Sequence, residues 1–384
     1  MEGLPKKLQK KLLDREESNA LRKLPKQTDL VDFSSNDYLG FAVEKKLFDK
    51  AHQILVEKEI HQNGATGSRL LSGNHQLYIE TEAMLTKFHN AESALIFNSG
   101  YDANIGFFSS VPQRGDIIFY DEFIHASIRD GIQMSNAKSY KFAHNDIEEL
   151  KTKLLSLRSE SKSQQEVFVV TESVFSMDGD SPDLKTFVDF CNEYKCYLIV
   201  DEAHATGVFG DKGVGLLQEL RLEDEVFARI NTFGKALGSH GAVIFGSKDL
   251  KSYLVNFARS FIYTTGLPPH TLATIQSMYT ELKTTSEIEK LQGNIQFFKQ
   301  KLKTVNLKPL FIDSNSAIHC CVIRGNENVK SIAAEIKNKD FDVKPILSPT
   351  VPLGKERLRF CLHSYNSDEE IAEVLELLAT FVSK

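Results

Sequence analysis

The 384-residue sequence lacks the features of several common classes of protein. No run of apolar residues approaches the roughly 20 that a membrane-spanning helix needs. The formal net charge of −6 is opposite in sign to that of a protein that binds nucleic acid or an anionic membrane surface. The first residues, MEGLPKKLQKK, are charged rather than apolar, so we expect no secretory signal there. Neither nucleic acid nor a membrane is therefore an expected partner.

Metal-binding and nucleotide-binding motifs are also missing. The five cysteines form no CxxC pair and have no histidine at zinc-ligand spacing, so we expect reduced thiols in a cytoplasmic protein and no metal site. Neither GxxxxGK[ST] nor a strand-borne GxGxxG occurs, which excludes the usual nucleotide-binding motifs. Tryptophan is absent as well, but that absence excludes no function.

The sequence does contain a series of short apolar segments separated by helical patterns. These segments predict strands at 31–33, 93–97, 116–120, 166–171, 197–200, 226–230 and 241–245. Their alternation with helical patterns is typical of an α/β fold with a mostly parallel sheet. An apolar helix is predicted from about Ile105, after the turn NSGYDAN, and residues 5–24 predict an amphipathic arm.

The pattern changes near residue 286. Helical segments there bracket strands predicted at 317–323 and 358–362, which indicates a smaller α+β domain at the C-terminus. We therefore divide the chain into three parts. These are an N-terminal arm and segment (1–50), a large domain (51–285) and a small C-terminal domain (286–384).

Lys235 lies in the stretch NTFGKALG, between two predicted buried strands. Small residues surround it, as expected where the backbone approaches a ligand closely. Lysines in such turns form Schiff bases with carbonyl compounds, including pyridoxal 5'-phosphate (PLP). The ordinary alternative is a solvated surface lysine, because the chain contains many of them.

Candidate ligand-binding residues follow the ends of several predicted strands. In a parallel sheet the ligand site lies beyond the carboxyl ends of the strands, so these residues are expected to converge. They are Gly100, His125, Ser176, Asp201, His204 and Lys235. The strand, the Ser-Gly turn and the helix start near Gly100 also make a candidate phosphate cradle, although many such turns hold nothing.

A bound PLP would give each of these residues a role. Asp201 would pair with the protonated pyridine nitrogen, His125 would stack on the ring, and His204 and Ser176 would contact the phenolic oxygen. Each residue has a local alternative: Asp201 as a helix cap, His204 as a structural histidine and Ser176 as a turn residue. Arg359 fits an α-carboxylate, or else a surface ion pair. One cofactor explains them together.

Many motifs, in order, resemble those of the α-oxoamine synthases, PLP enzymes with the aspartate aminotransferase fold (fold type I). They are SSNDYLG (34–40), TGSRLLSGN (66–74), SGYDAN (99–104), HAS (125–127), TESVFSMDGD (171–180), DEAHATGVFG (201–210), TFGKALG (232–238), FARSFIYTTGLPP (257–269) and PTVPLGKERLRF (349–360). The resemblance spans roughly residues 4–380. It departs at Tyr78 and Thr81, where family members usually have His and Leu, and His240 has no assigned role.

The resemblance implies a role for each matching residue. Lys235, His125, Asp201 and His204 would be catalytic, with Lys235 forming the Schiff base and moving the Cα proton. The residues expected to bind the cofactor are Gly100, Tyr101, His125, Ser176, Asp201, His204, Thr232, Lys235, Thr264 and Thr265. Thr264 or Thr265 would come from the partner subunit of a homodimer with shared active sites. The residues expected near the substrates are Arg22, Asn36 and Arg359.

The implied reaction is a decarboxylative condensation of an amino acid with an acyl thioester, carried by CoA or by acyl-carrier protein. The motifs FAHND, RLLSGN and VFSMDGD favour the branch that joins L-alanine to a pimeloyl group in biotin synthesis. A sister synthase that uses glycine or serine stays open, since one sequence does not fix acyl length. A non-catalytic partner subunit is disfavoured because Lys235, Asp201 and His204 are present. TFGKALG and the PTVP segment point away from a plain aminotransferase.

Overall fold

A computed structural model of the chain describes residues 3–22, 24, 29–160 and 165–382. The strands of the described residues, in chain order, are β1 (Val31–Phe33), β2 (Ser93–Phe97), β3 (Ile117–Asp121), β4 (Lys138–Phe142), β5 (Val167–Glu172), β6 (Tyr197–Asp201), β7 (Ala228–Thr232), β8 (Ala242–Gly246), β9 (Ile318–Val322), β10 (Phe341–Ile346) and β11 (Arg357–Cys361). Each predicted strand is present, within two residues of its predicted bounds at either end. β4 and β10 were not predicted.

The α-helices of the same residues, in chain order, are α1 (Lys6–Glu17), α2 (Lys45–Glu57), α3 (Gln76–Phe88), α4 (Gly100–Ser110), α5 (Ala126–Met134), α6 (Ile147–Glu160), α7 (Leu184–Tyr194), α8 (Leu216–Glu219), α9 (Lys248–Phe257), α10 (Arg259–Ile262), α11 (Pro269–Leu282), α12 (Glu287–Thr304), α13 (Asn326–Lys337) and α14 (Asp368–Val382). The arm prediction is confirmed for α1 only as far as Glu17. None of these helices combines the length and apolar character that crossing a bilayer demands.

Contacts divide the described residues into two units. The small unit contains residues up to 35, Met177–Gly179 and residues from 290 onward; the large unit contains Asn36–Ser176 and Asp180–Glu289. Each unit has a sheet of its own, with four strands in the small unit and seven in the large one.

The large sheet has the strand order β2-β8-β7-β6-β5-β3-β4. Every strand runs in the same direction except β8, which is antiparallel to β2 and β7. Strands such as β2 (SALIF) and β5 (VFVVTE) are buried at every residue, as expected for a sheet covered on both faces. The predicted α/β fold with a mostly parallel sheet is confirmed.

Two apolar cores cover the faces of this sheet. One packs Phe107 of α4 and Ile128 of α5 against the sheet, and the other packs Leu150 of α6 and Phe187 of α7 against it. Because both faces are occupied by helices, polar groups that follow the strands can meet only at the sheet's edges.

The small sheet has the order β1-β10-β11-β9. β1 pairs in parallel with β10, with Val31 opposite Phe341, while β10, β11 and β9 form an antiparallel series. The rings of Phe33, Phe341 and Phe360 pack beside one another in its core. The N-terminal strand therefore belongs to the small unit, a long-range pairing that the local sequence pattern does not indicate.

Candidate active site

Six parallel strands end at one edge of the large sheet. Their ends carry or precede most of the predicted site residues, because the strands β2, β3, β5, β6 and β7 run in the same direction. Those residues are Gly100, His125, Ser176, Asp201, His204 and Thr232. Lys235 follows Thr232 in the turn that leads to β8. The strand directions therefore place these residues at the carboxyl edge of the large sheet.

The turn that carries Lys235 is held by its own backbone. The Phe233 N–H donates to the Gly241 carbonyl over 2.9 Å, and the Gly238 N–H donates to the Lys235 carbonyl over 2.8 Å. Gly238 has a φ of 58°, and a Cβ there would lie 2.3 Å from the backbone nitrogen of Ala42. Only glycine fits at position 238, which explains the glycine three residues after the lysine.

Asp201 is the last residue of β6, and its carboxylate is buried. Its Oδ2 accepts a hydrogen bond from Asn104 Nδ2 over 3.1 Å, and its Oδ1 accepts one from the Ala203 N–H over 2.9 Å. Both donors are neutral, so a cationic group would complete the site electrostatically. Asn104 lies in the quoted SGYDAN motif, but the sequence analysis gave it no role.

His125 caps α5, and its ring lies close to the same carboxylate network. Its Nδ1 is 2.8 Å from Ser127 Oγ, which in turn accepts a hydrogen bond from Asn104 over 3.0 Å. Burial and the Lys235 ammonium lower the pKa of His125. The imidazole is therefore neutral at pH 7, as suits a ring that stacks on an aromatic ligand.

Glu172, at the end of β5, is a buried acid that the sequence analysis did not single out. One of its carboxyl oxygens accepts the backbone N–H of His125. Burial and the neighbouring Asp201 raise the pKa of Glu172 well above its ordinary range. Two carboxyl groups therefore lie at adjacent strand ends, and burial together with the neighbouring Asp201 favours the protonated form of Glu172.

His204 and Ser176, predicted to contact a ring oxygen, are both buried in the large unit. The Nδ1 of His204 lies 2.7 Å from the hydroxyl of Tyr38. That hydroxyl also donates to Oδ1 of Asn36 over 3.1 Å, which connects His204 to a residue predicted to lie near the substrate. Tyr38 was not singled out from the sequence, although it lies in the motif SSNDYLG.

The predicted phosphate cradle lies at the start of α4. The helix begins at Gly100, not near residue 105 as predicted, because Ser99 caps it by accepting a hydrogen bond from the Asp102 N–H over 3.0 Å. The Gly100 and Tyr101 amides therefore lie in the first turn, where an anion is favoured. A Cβ at Gly100 would lie 3.7 Å from the Thr232 side chain, so these two predicted ligands are neighbours.

Tyr101 and the two threonines are placed beside this cradle. Tyr101 is half-exposed, and its hydroxyl donates to Asp130 over 2.6 Å. Asn98, two residues before the helix, donates through Nδ2 to Thr264 Oγ1 over 3.1 Å and to the Thr265 carbonyl over 2.6 Å. Within one chain, therefore, the threonines contact the loop that precedes the cradle.

Two predicted substrate residues, Arg22 and Arg359, belong to the small unit. Arg359 is buried in β11, with Nη1 2.9 Å from Cys361 Sγ. Arg22 is exposed, with Nη2 3.5 Å from Thr350 Oγ1. Arg357, two residues before Arg359, forms a buried ion pair with Asp178.

PLP fits the residues that the large unit brings together. Its acidic phosphate matches the helix start at Gly100, its basic pyridine nitrogen matches the buried Asp201 carboxylate, and its aldehyde matches an amine such as that of Lys235. The charges of both Lys235 and Asp201 act on the pKa of His125. The chemistry of these residues therefore matches the three functional groups of the cofactor.

Known proteins resemble the chain over nearly its whole length. A family model for aminotransferase class I and II matches residues 28–378. An 8-amino-7-oxononanoate synthase of Emericella nidulans is 41% identical over 370 residues, which cover 92% of this chain and 90% of that protein. A solved 8-amino-7-oxononanoate synthase from Francisella tularensis superposes with a TM-score of 0.76 at 29% identity, covering 92% of this chain and 98% of the other.

A structure of a sister enzyme is also similar. A serine palmitoyltransferase variant from S. paucimobilis, with a bound PLP–myriocin aldimine, superposes with a TM-score of 0.87 at 25% identity, covering 98% of this chain and 97% of that one. The expected fold type I and the expected cofactor, PLP, are thereby confirmed. The chain belongs to the aminotransferase class I and II family and, within it, to the α-oxoamine synthases, which are PLP-dependent acyltransferases.

Proposed function

We propose that the protein condenses L-alanine with a pimeloyl thioester to give 8-amino-7-oxononanoate, CO2 and the free thiol. The observation that carries the proposal is the gathering of Lys235, Asp201 and His125 at one sheet edge, in a chain 41% identical to a synthase of that name. The free thiols of all five cysteines suit the reducing cytoplasm in which such an enzyme would act.

PLP, when bound, supplies an electron-withdrawing ring that stabilises negative charge at the Cα atom of the amino acid. Lys235 would hold the cofactor at rest, and its amine would then take the proton from Cα. Asp201 would hold a proton on the pyridine nitrogen, with Asn104 fixing the carboxylate. The neutral imidazole of His125 would cover one face of the ring and exclude water from it.

Other residues would bind and orient the substrates and the cofactor. Thr232 and the amides of Gly100 and Tyr101 would bind the phosphate, while His204 and Ser176 would contact the ring oxygen. The Arg359 guanidinium would bind the amino-acid carboxylate. Asn36 would lie near the reacting amino acid and Arg22 near the acyl group. Thr264 or Thr265 would reach the phosphate from the partner subunit of a homodimer.

In the overall reaction one carbon–carbon bond forms, and the Cα–H bond, the thioester carbon–sulfur bond and the Cα–carboxylate bond break. The Cα atom of alanine bonds to the acyl carbon, the carbon–sulfur bond breaks, and the thiol leaves with a proton. The alanine carboxyl group then departs as CO2, and Cα receives a proton in its place. Lys235 is suited to both proton movements because it follows the strand end beside Asp201.

A serine-using or glycine-using synthase is the second candidate. Two serine palmitoyltransferase structures cover 98% of this chain, with TM-scores of 0.87 and 0.89. That overlap favours a shared fold and mechanism, so either amino acid is a candidate substrate.

A thiol-release assay separates the two candidates. Purified protein would receive pimeloyl-CoA with L-alanine, glycine or L-serine in parallel, and the products would be identified by mass. Alanine-dependent release with formation of 8-amino-7-oxononanoate supports the proposal. Release with glycine or serine alone overturns it in favour of a sister activity, and palmitoyl-CoA would then be tested as the donor. Silence with every amino acid, on pimeloyl-CoA and on the pimeloyl carrier protein alike, would also overturn it.

A further inference from the structure

The hydroxyl of Tyr38 joins two residues of the candidate site. It lies 2.7 Å from Nδ1 of His204 and donates to Oδ1 of Asn36 over 3.1 Å. All three residues belong to the large unit. The Tyr38 side chain is fully buried, so its hydroxyl meets its partners away from bulk water.

The contact between Tyr38 and His204 is made by the hydroxyl and not by the faces of the rings. Their ring centroids are 6.2 Å apart, and the planes are tilted by 45°. A tyrosine that served only to fill space would need no polar atom at this position, and a buried hydroxyl without partners costs about 1–3 kcal/mol. Both contacts therefore depend on the hydroxyl oxygen of Tyr38 and would be lost with a phenylalanine at this position.

The orientation of this hydroxyl and the protonated nitrogen of His204 are linked. A hydroxyl has one hydrogen, so when it donates to Asn36 its oxygen accepts a hydrogen bond from Nδ1–H of His204. When the hydroxyl turns to Nδ1 instead, the imidazole carries its proton on Nε2. The partner of one ring nitrogen thus fixes the donor or acceptor character of the other.

We propose that Tyr38 is a positioning residue that sets the protonated nitrogen of His204 and couples it to the amide of Asn36. This inference rests on the proposed function, in which His204 contacts the cofactor ring oxygen and Asn36 lies near the amino acid. A change at Asn36 when the amino acid binds would be passed through one hydroxyl to the imidazole. Tyr38 would act through His204 and Asn36.

Histidine 15N NMR of the full-length chain, with and without PLP, tests the proposal directly. In Tyr38→Phe the nitrogen signals of His204, assigned by their loss in His204→Gln, should move, because Nδ1 loses its partner. PLP should also bind about tenfold more weakly, as expected for the loss of a buried hydrogen bond to a ring that holds the cofactor. Unchanged His204 signals in a folded Tyr38→Phe protein would overturn the proposal.

Tyr279→Phe is the matched control. Tyr279 is another fully buried tyrosine, and its hydroxyl lies 2.9 Å from Nε2 of the buried His89. This variant loses the same kind of bond, but it should leave the His204 signals and PLP affinity as they are in the natural chain. Equal changes of the His204 signals in Tyr38→Phe and Tyr279→Phe would mean that the signals respond to a general loss of core packing. That result would overturn the proposal.

Two variants of Asn36 test the coupling if Tyr38→Phe fails to fold. Asn36→Asp keeps an acceptor for the Tyr38 hydroxyl and should hold the proton on Nδ1 of His204. Asn36→Leu removes that acceptor and should move the proton to Nε2. Identical His204 signals in both variants would overturn the proposal. These signals do not depend on which substrates react, so a failed thiol-release assay would count against the proposed function alone.

Discussion

The imidazole of His144 lies between the carboxylates of Asp121 and Asp180. Its Nδ1 is 3.0 Å from Asp121 Oδ1, and its Nε2 is 2.8 Å from Asp180 Oδ2. Burial alone would lower the pKa of His144, but the hydrogen bonds to the two carboxylates outweigh it and raise the pKa to about 9. Since Asp121 ends β3 and Asp180 follows the loop after β5, a charged His144 ties two neighbouring strand ends together.

This arrangement predicts a pH-dependent contribution to stability. The ordinary pKa of histidine is 6.5, so the contribution is fully present below that pH and is lost as the pH rises through about 9. We expect His144→Gln to cost about 1–3 kcal/mol at pH 6, with the difference from the natural chain shrinking toward pH 10. Melting curves across that range check this. The exposed His52→Gln is the control, and a constant difference across the range would contradict the prediction.

Replacing Lys235 with alanine should abolish turnover and remove the absorbance of lysine-bound PLP. The lysine lies in a turn fixed by backbone hydrogen bonds, so its loss should leave the fold and the melting temperature of the PLP-free protein nearly unchanged. Absorbance spectra and the thiol-release assay measure the two effects. Lys185→Ala removes an exposed lysine that pairs with Asp189 and should behave like the natural chain. An active Lys235→Ala protein would refute the assignment of the site.

The sequence predicts most of the strands that carry the site because they contain short apolar runs. β6 (YLIVD) is such a run and ends in Asp201, whereas β7 (ARINT) also contains the buried polar residues Arg229 and Asn231. β4 (KSYKF) contains no apolar run because it lies at the edge of the sheet and exposes Lys138, Ser139 and Lys141. Its charged side chains are typical of edge strands.

Contacts between distant residues could not be predicted from local patterns. The pairing of Val31 with Phe341 and the bond between Tyr38 and His204 join positions far apart in the chain. The raised pKa of Glu172 depends on burial and on Asp201 across a strand pair, neither of which a single sequence displays. The start of α4 at Gly100 depends on the side-chain cap of Ser99 rather than on apolar periodicity.

Glu172 provides a test of the second carboxyl group. The ordinary pKa of glutamic acid is 4.5, and burial and Asp201 raise the pKa of Glu172 in the folded protein. Above pH 4.5 the unfolded chain therefore releases this proton while the folded protein still holds it. The free energy of unfolding then falls as the pH rises. Glu172→Gln keeps a neutral acceptor for the His125 N–H and should lose less stability than the natural chain as the pH increases. Glu172→Ala leaves that N–H unpaired and should cost about 1–3 kcal/mol.

Melting curves of the natural chain and both Glu172 variants, measured at several pH values, separate these effects. The pH dependence of the natural chain should exceed that of Glu172→Gln. If Glu172→Gln were as unstable as Glu172→Ala at neutral pH, the carboxyl group would be ionised in the folded protein, contrary to the prediction.

The proposed shared site predicts that two defective subunits can complement each other. Lys235→Ala lacks the Schiff-base lysine, and a variant with both Thr264→Ala and Thr265→Ala lacks the threonines proposed to reach the partner's phosphate. In a mixed dimer, the lysine of one subunit and the threonines of the other form one intact site. The mixed dimer, purified by two different tags, should therefore be more active than either parent.

Mixing Lys235→Ala with Asp201→Ala is the control and should give no gain, since each of its sites keeps one lesion. Asn98 contacts Thr264 and Thr265 of its own chain. In the alternative arrangement, the two threonines therefore serve the site of their own chain. If those contacts place the threonines in their own chain's site, both mixtures stay inactive and the shared site is refuted.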